Sequence, residues 1–165
     1  MQVYDSSGAD VGGVYINSGP TEVDFTPTAA EAGTTTVVIS PYQFESTGSF
    51  TLTYATDVTG TLTSGVPTNG AIEFGGQHAV YTFNAVAGQP VTLAITNPKV
   101  SPSSDSLQMQ VYDSSGADIG GVYINTSPAE IQFTPTSAEA GPTTVVISPY
   151  QFESTGSYTL TYTTG

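Results

Sequence analysis

The imidazole of His78 is the sole histidine side chain in these 165 residues. A nucleophilic triad or general-base mechanism would have to be built on it. His78 lies in QHAVYTFNA, where Ala79, Tyr81 and Phe83 alternate with His78, Val80 and Thr82. That alternation puts His78 on the outward side of a strand, and a solvated surface histidine is the simpler reading. Paired carboxylates would offer acid–base chemistry, but the acidic residues fall in turns or at strand edges and no spacing singles out two of them. No catalytic, cofactor-binding or metal-ligating residue is assigned, and the chain is expected not to be an enzyme.

Residues for three other chemistries are present. Calcium takes about six to eight oxygen ligands, and the DSSGAD loops supply Asp5 and Asp10 in one place and Asp113 and Asp118 in another. These loops lack the ligand spacing of an EF-hand, and Asp-Ser-Ser-Gly is already hairpin chemistry, the Asp capping the turn and the Gly supplying positive φ. The sole lysine, Lys99, would form an isopeptide cross-link only if buried beside a carboxylic acid, and Asn97-Pro98-Lys99 reads as an exposed loop. Asn125-Thr126-Ser127 is a glycosylation-type sequon.

The composition narrows the field. One Lys, no Arg and fourteen Asp plus Glu leave a net charge of −13. That argues against nucleic acid, whose affinity rests on cations meeting phosphates, and against polybasic attachment to a membrane. No apolar run approaches the roughly 18 residues of a spanning helix, so no membrane insertion is expected, and no secretory leader pattern is visible. The chain is nevertheless 38% hydrophobic, with ten Tyr and seven Phe, and only 9% charged. It therefore has a core to bury, and Ser and Thr do the solvating, a composition that suits extracellular bacterial sheet proteins. The absence of cysteine leaves the redox compartment open.

The elements that would position any site are repeated. Met1–Tyr54 returns as Met109–Tyr162, 108 positions later, with nine differences among the 54 pairs. The exchanges are mild: Val11/Ile119, Val23/Ile131 and Phe50/Tyr158 stay apolar, and Asp24/Gln132 stays polar. Residues 55–108 occur once. The natural unit is a period of 108 residues, of which the single-copy segment is the first half and the repeated segment the second. Met1 matches Met109, which sits inside a strand pattern, so the chain is expected to be a piece of something longer.

Alternation runs through the whole period. Val91, Leu93 and Ile95 share one face, as do Leu107, Met109 and Val111, then Ile131 and Phe133, then Val145 and Ile147, and last Tyr158, Leu160 and Tyr162. Turn residues recur about every 8–12 positions and no helical period is visible, which predicts an all-β antiparallel sandwich of about eight short strands per repeat.

With these residues in place, GGQHAVYTFNAVAGQPVTLAIT, LQMQVYDSSGAD, FTPTSAEAGPTTVVISP and STGSYTLTY together resemble the bacterial pre-peptidase C-terminal domain family, here in tandem-repeat form. The resemblance implies a jelly-roll-like β-sandwich that is secreted and non-catalytic, appended to exported proteases or strung along surface proteins. Some members bind collagen or Ca²⁺, so a calcium ion is the one cofactor to consider. Where many members carry acidic residues before the Y-x-F strand, this chain has Gln77 and Ala79.

On this reading residues 55–165 form one complete sandwich, and residues 1–54 are the second half of another. The inward set of that half includes Val3, Val23, Phe25, Val37, Ile39, Phe50, Leu52 and Tyr54. At roughly 1.5–3 kcal/mol for each large apolar side chain, leaving them wet would forfeit on the order of 10–20 kcal/mol, as much as the whole stability of a typical domain. The half is therefore expected to be completed by a preceding repeat or a neighbouring subunit. The expected function is a non-catalytic structural or adhesive repeat of a bacterial cell-surface stalk or head-to-tail filament, with copies of itself as partners. The alternative is an accessory matrix- or polysaccharide-binding module of a secreted hydrolase, with Tyr112, Tyr123 and Tyr150 as contact residues.

Overall fold

The computed structural model describes residues 1–42 and 45–165. The chain divides into two compact units, Met1–Leu52 and Thr53–Gly165. Among the described residues there are twelve strands and no α-helix, which is the all-β architecture expected. No helix among these residues is long and apolar enough to cross a membrane.

In the second unit the strands are β4 (Val58–Thr61), β5 (Thr68–Ile72), β6 (Ala79–Ala85), β7 (Val91–Ser101), β8 (Leu107–Tyr112), β9 (Asp118–Ile124), β10 (Ala129–Phe133), β11 (Gly141–Pro149) and β12 (Thr155–Thr164). They form two sheets, ordered β10-β7-β12-β5 and β4-β6-β11-β8-β9. The residues predicted to point inward do so: Leu93, Ile95, Leu107, Met109, Val111, Val145, Ile147 and Leu160 are buried in one cluster, with Ile131 and Phe133 packed against it. Aromatic contacts join the sheets. The Phe83 and Tyr162 ring centroids are 4.2 Å apart, and the Tyr81 and Tyr158 hydroxyls meet at 3.2 Å. Gly70, opposite Tyr158 in the β5–β12 ladder, is glycine for steric reasons: a Cβ there would lie 2.6 Å from the Tyr158 ring.

The unit has about the expected number of strands, nine, of which two are long: β7 runs for 11 residues and β12 for 10. The sandwich is not wholly antiparallel, because β4 pairs parallel with β6. The chain leaves the five-stranded sheet after β4, crosses to the other sheet as β5 and returns as β6, so β4 and β6 run the same way. Asn97-Pro98-Lys99 is not a loop but lies within β7. The ladder to β12 shifts register there, between Ser157 and Thr159, and Asn97 takes a positive φ of 52°. A bulge absorbs the proline, which cannot donate to the ladder, and lets the strand continue.

The two sequence halves interlock. β7, from the single-copy segment, is hydrogen-bonded to β10 on one side and β12 on the other, both from the repeated segment. β8, β9 and β11 need no such help with one another, since β8 pairs directly with both β9 and β11.

The first unit contains the same three strands and no others among its described residues: β1 (Gln2–Tyr4), β2 (Asp10–Gly13) and β3 (Thr36–Val38), in the order β2-β1-β3. The register is that of β9-β8-β11. Gln2 faces Gly13 and Val38, as Gln110 faces Gly121 and Val146, and the irregularity after Val3 matches that after Val111. Residues 21–25 and 47–54, which match β10 and most of β12, form no strand.

This arrangement predicts opposite outcomes for one substitution made twice. Leu160→Ala, in the buried core, should lower the unfolding free energy by about 2–5 kcal/mol, whereas Leu52→Ala, in the same TLTY sequence, should change it by less than about 0.5 kcal/mol; urea unfolding of the two variants measures both. Burial, and secondarily the hydrogen bond to Tyr81, pushes the Tyr158 hydroxyl well above the ordinary tyrosine range. Its contribution is whole below the unfolded tyrosine pKa of about 10 and declines as pH rises beyond it, because the unfolded chain then ionises first. Tyr158→Phe, which reproduces Phe50 of the other copy, should therefore lose less Tm than the parent between about pH 9 and 11.

Candidate functional site

Residues 47–54, TGSFTLTY, have the alternation that builds most of β12 in residues 155–162, TGSYTLTY. Their side chains meet a different fate. Phe50, Leu52 and Tyr54 are 58%, 52% and 82% exposed, against 3%, 0% and 6% for Tyr158, Leu160 and Tyr162. Val37 and Ile16 are likewise exposed where Val145 and Ile124 are buried. Within the first unit an open groove of about 1010 Å³ is lined by Ile16, Ile39, Tyr42 and Phe50 together with polar residues such as Gln2, Asp10, Asn17 and Ser49. A groove beside main chain that has a strand's sequence but no ladder is suited to receiving an added strand: main-chain groups supply the hydrogen bonds and alternate side chains the pockets. Of the predicted inward set only Val3 is buried, because β1 is flanked by β2 and β3 within the unit itself.

The residues considered for chemistry have local structural roles. Asp113 Oδ1 accepts hydrogen bonds from the Ser115 hydroxyl at 2.6 Å, the Ser115 N–H at 2.8 Å and the Ala117 N–H at 3.0 Å. Asp5 repeats this with Ser7 and Ala9, with distances of 2.7 to 2.9 Å. The serine hydroxyl in each loop is the main reason that both carboxyls are held below the usual aspartate range. Gly116 closes its turn at φ 85°. The hairpin reading thus accounts for the carboxylates at Asp5 and Asp113. Asp10 accepts a hydrogen bond from the Gly12 N–H at 2.9 Å, and Asp118 is exposed at the start of β9.

His78 is only partly exposed. Asp57 Oδ1 accepts its main-chain N–H at 3.0 Å and lies 4.0 Å from its Nδ1. Lys99 is exposed on β7, with its main chain paired to Ser157, which is not the buried setting isopeptide chemistry requires. Asn125 is exposed just after β9.

Two features were missed in the sequence. Gln77 is buried and bridges two strand approaches: its Oε1 accepts the Glu73 N–H at 2.8 Å, and its Nε2 donates to the Thr56 carbonyl at 2.9 Å. A carboxylate could do the first and not the second, so the amide is what this bridge requires. The other is a repeated aromatic pair. Tyr123 and Tyr150 meet edge to face at 5.3 Å, and Tyr15 and Tyr42 at 5.5 Å; all four are exposed. Alternation marks Tyr123 as outward but cannot show that Tyr150 lies beside it. Tyr112, grouped with them from sequence, is half-buried.

No family model matches the chain, and no curated protein matches it in sequence. In structure it is similar to the pre-peptidase C-terminal domain of a collagenase from Bacillus anthracis, at 18% identity over 64% of this chain and 93% of that one, with a TM-score of 0.47. It is also similar to PliG of Aeromonas hydrophila, a periplasmic inhibitor of g-type lysozyme, at 16% identity over 67% of this chain and 100% of that one, with a TM-score of 0.48.

The Gln77 bridge yields a test. Gln77→Glu should cost about 1–3 kcal/mol at neutral pH, because the Thr56 carbonyl would face a carboxylate instead of a donor. Much of that loss should return as pH falls through the glutamate range near 4, where the acid regains a proton to donate. Chemical denaturation at two pH values reads both effects.

Proposed function

We propose that the chain is a non-catalytic structural repeat of an extended extracellular assembly, a bacterial cell-surface stalk or filament whose partners are further copies of the same repeat. The observation that carries this reading is that one sequence folds twice with different outcomes. The copy that follows the single-copy segment closes its sandwich, whereas residues 1–54 keep only β1–β3 among the described residues and leave Val37, Phe50, Leu52 and Tyr54 exposed and Val23, Phe25 and Ile39 half-buried. An exposed apolar face of this kind marks an interaction surface. Joining repeats through it extends an array, since a head-to-tail contact that does not close on itself generates a filament. The Ser- and Thr-rich, weakly charged composition suits exposure outside the cell. The absence of an enzymatic role is supported by the local engagements of Asp5, Asp113 and His78.

The repeated tyrosine pair favours a second reading, in which the sandwich is a matrix- or polysaccharide-binding accessory module. Exposed rings set edge to face offer flat apolar contact area with polar tips.

Material isolated from the source cells with an antibody against this protein, viewed by negative-stain electron microscopy, should show rods or fibres with a regular bead. Compact particles the size of a single 165-residue chain would overturn the structural reading. Tyr123→Ala should leave the fibres intact and lower retention on collagen or polysaccharide only if the second reading holds.

A further inference from the structure

The occupant of the exposed face can be specified, because the second unit displays the same residues with it in place. Resting on the structural-repeat reading, we propose that the first unit is a strand acceptor whose ligand is the β7-type strand of another repeat, inserted antiparallel between residues 21–25 and 47–54.

Three observations lead there. The strands missing from the first unit are those whose partner in the second unit is β7, while the three that pair among themselves are present in the same register. β7 is also the only strand of the single-copy segment flanked on both sides by strands of the repeated one, so it alone can order both missing strands at once. And the side chains that would receive it keep their kind between the copies, apart from Thr21 in place of Ala129. In the second unit Leu93 faces Ile131 and Tyr162, and Ile95 faces Ala129 and Leu160. The equivalents are Val23 and Tyr54 for the first, and Thr21 and Leu52 for the second. The incoming strand therefore carries apolar residues at alternate positions in the pattern of Val91, Leu93 and Ile95. Phe50 stands where Tyr158 meets the Tyr81 hydroxyl, so the half carrying this strand needs a ring there but no hydroxyl.

Hydrogen exchange tests the idea directly. A synthetic peptide of residues 90–101, PVTLAITNPKVS, is added to the 165-residue protein. Amides of residues 21–25 and 47–54 should slow by about 10-fold or more while those of 129–133 and 155–162 stay unchanged. A peptide bearing Leu93→Asp and Ile95→Asp should have no effect. In a second arm, an extra copy of residues 55–108 is joined ahead of Met1, which reproduces the Gln108–Met109 junction. There the same amides should approach the protection of their counterparts. The proposal is overturned if residues 21–25 and 47–54 exchange freely in both arms, or if the Asp-substituted peptide protects them equally. The outcome is separable from the structural reading. A peptide that fills the face, with no fibres in source material, retains the acceptor and removes the filament. Fibres whose 47–54 amides still exchange freely do the reverse.

Discussion

The second unit depends on the insertion of β7 between β10 and β12. Each sheet of the sandwich mixes strands from the two sequence halves, and β7 is the strand of the single-copy half that is held on both sides by strands of the repeated one. It brings Val91, Leu93, Ile95 and Val100 into the core and supplies the ladder that keeps β10 and β12 extended. A strand is marginal without a neighbour, because its main-chain groups and apolar face must both be satisfied by something else. Without β7, β12 loses one of its two ladders and β10 has none of the strand pairings observed.

The first unit shows what remains when that strand is missing. β1, β2 and β3 persist, as a three-stranded sheet can, because β1 bonds to both neighbours and buries Val3 between them. The segments that relied on insertion lie outside any ladder and expose Phe50 and Leu52. Because 45 of the 54 residue pairs are identical between residues 1–54 and 109–162 (54 less nine differences), the contrast isolates tertiary context from local propensity more cleanly than a set of mutations would.

Polar detail supports the same frame. The Asp-Ser-Ser-Gly turns form identically in both units, since their hydrogen bonds run within a few residues and need no sandwich around them. The tyrosine pair also forms in both. The Tyr81–Tyr158 and Phe83–Tyr162 contacts, by contrast, each take one residue from either sequence half, and they exist only where both halves are present.

The sequence by itself determined the all-β class, the repeat boundary, the inward faces of β6, β7, β8, β11 and β12, and the local chemistry of the aspartate turns. Alternation and turn composition act over a few residues, so they are legible without coordinates. Only the tertiary structure decided which strand joins which. The insertion of β7, the parallel β4–β6 pair, the bulge that carries Pro98 and Lys99 inside a strand, and the Gln77 bridge all depend on residues distant along the chain. The same long-range dependence explains why TGSYTLTY builds a strand and TGSFTLTY does not: a strand's ladder and its buried face are both supplied by other parts of the molecule.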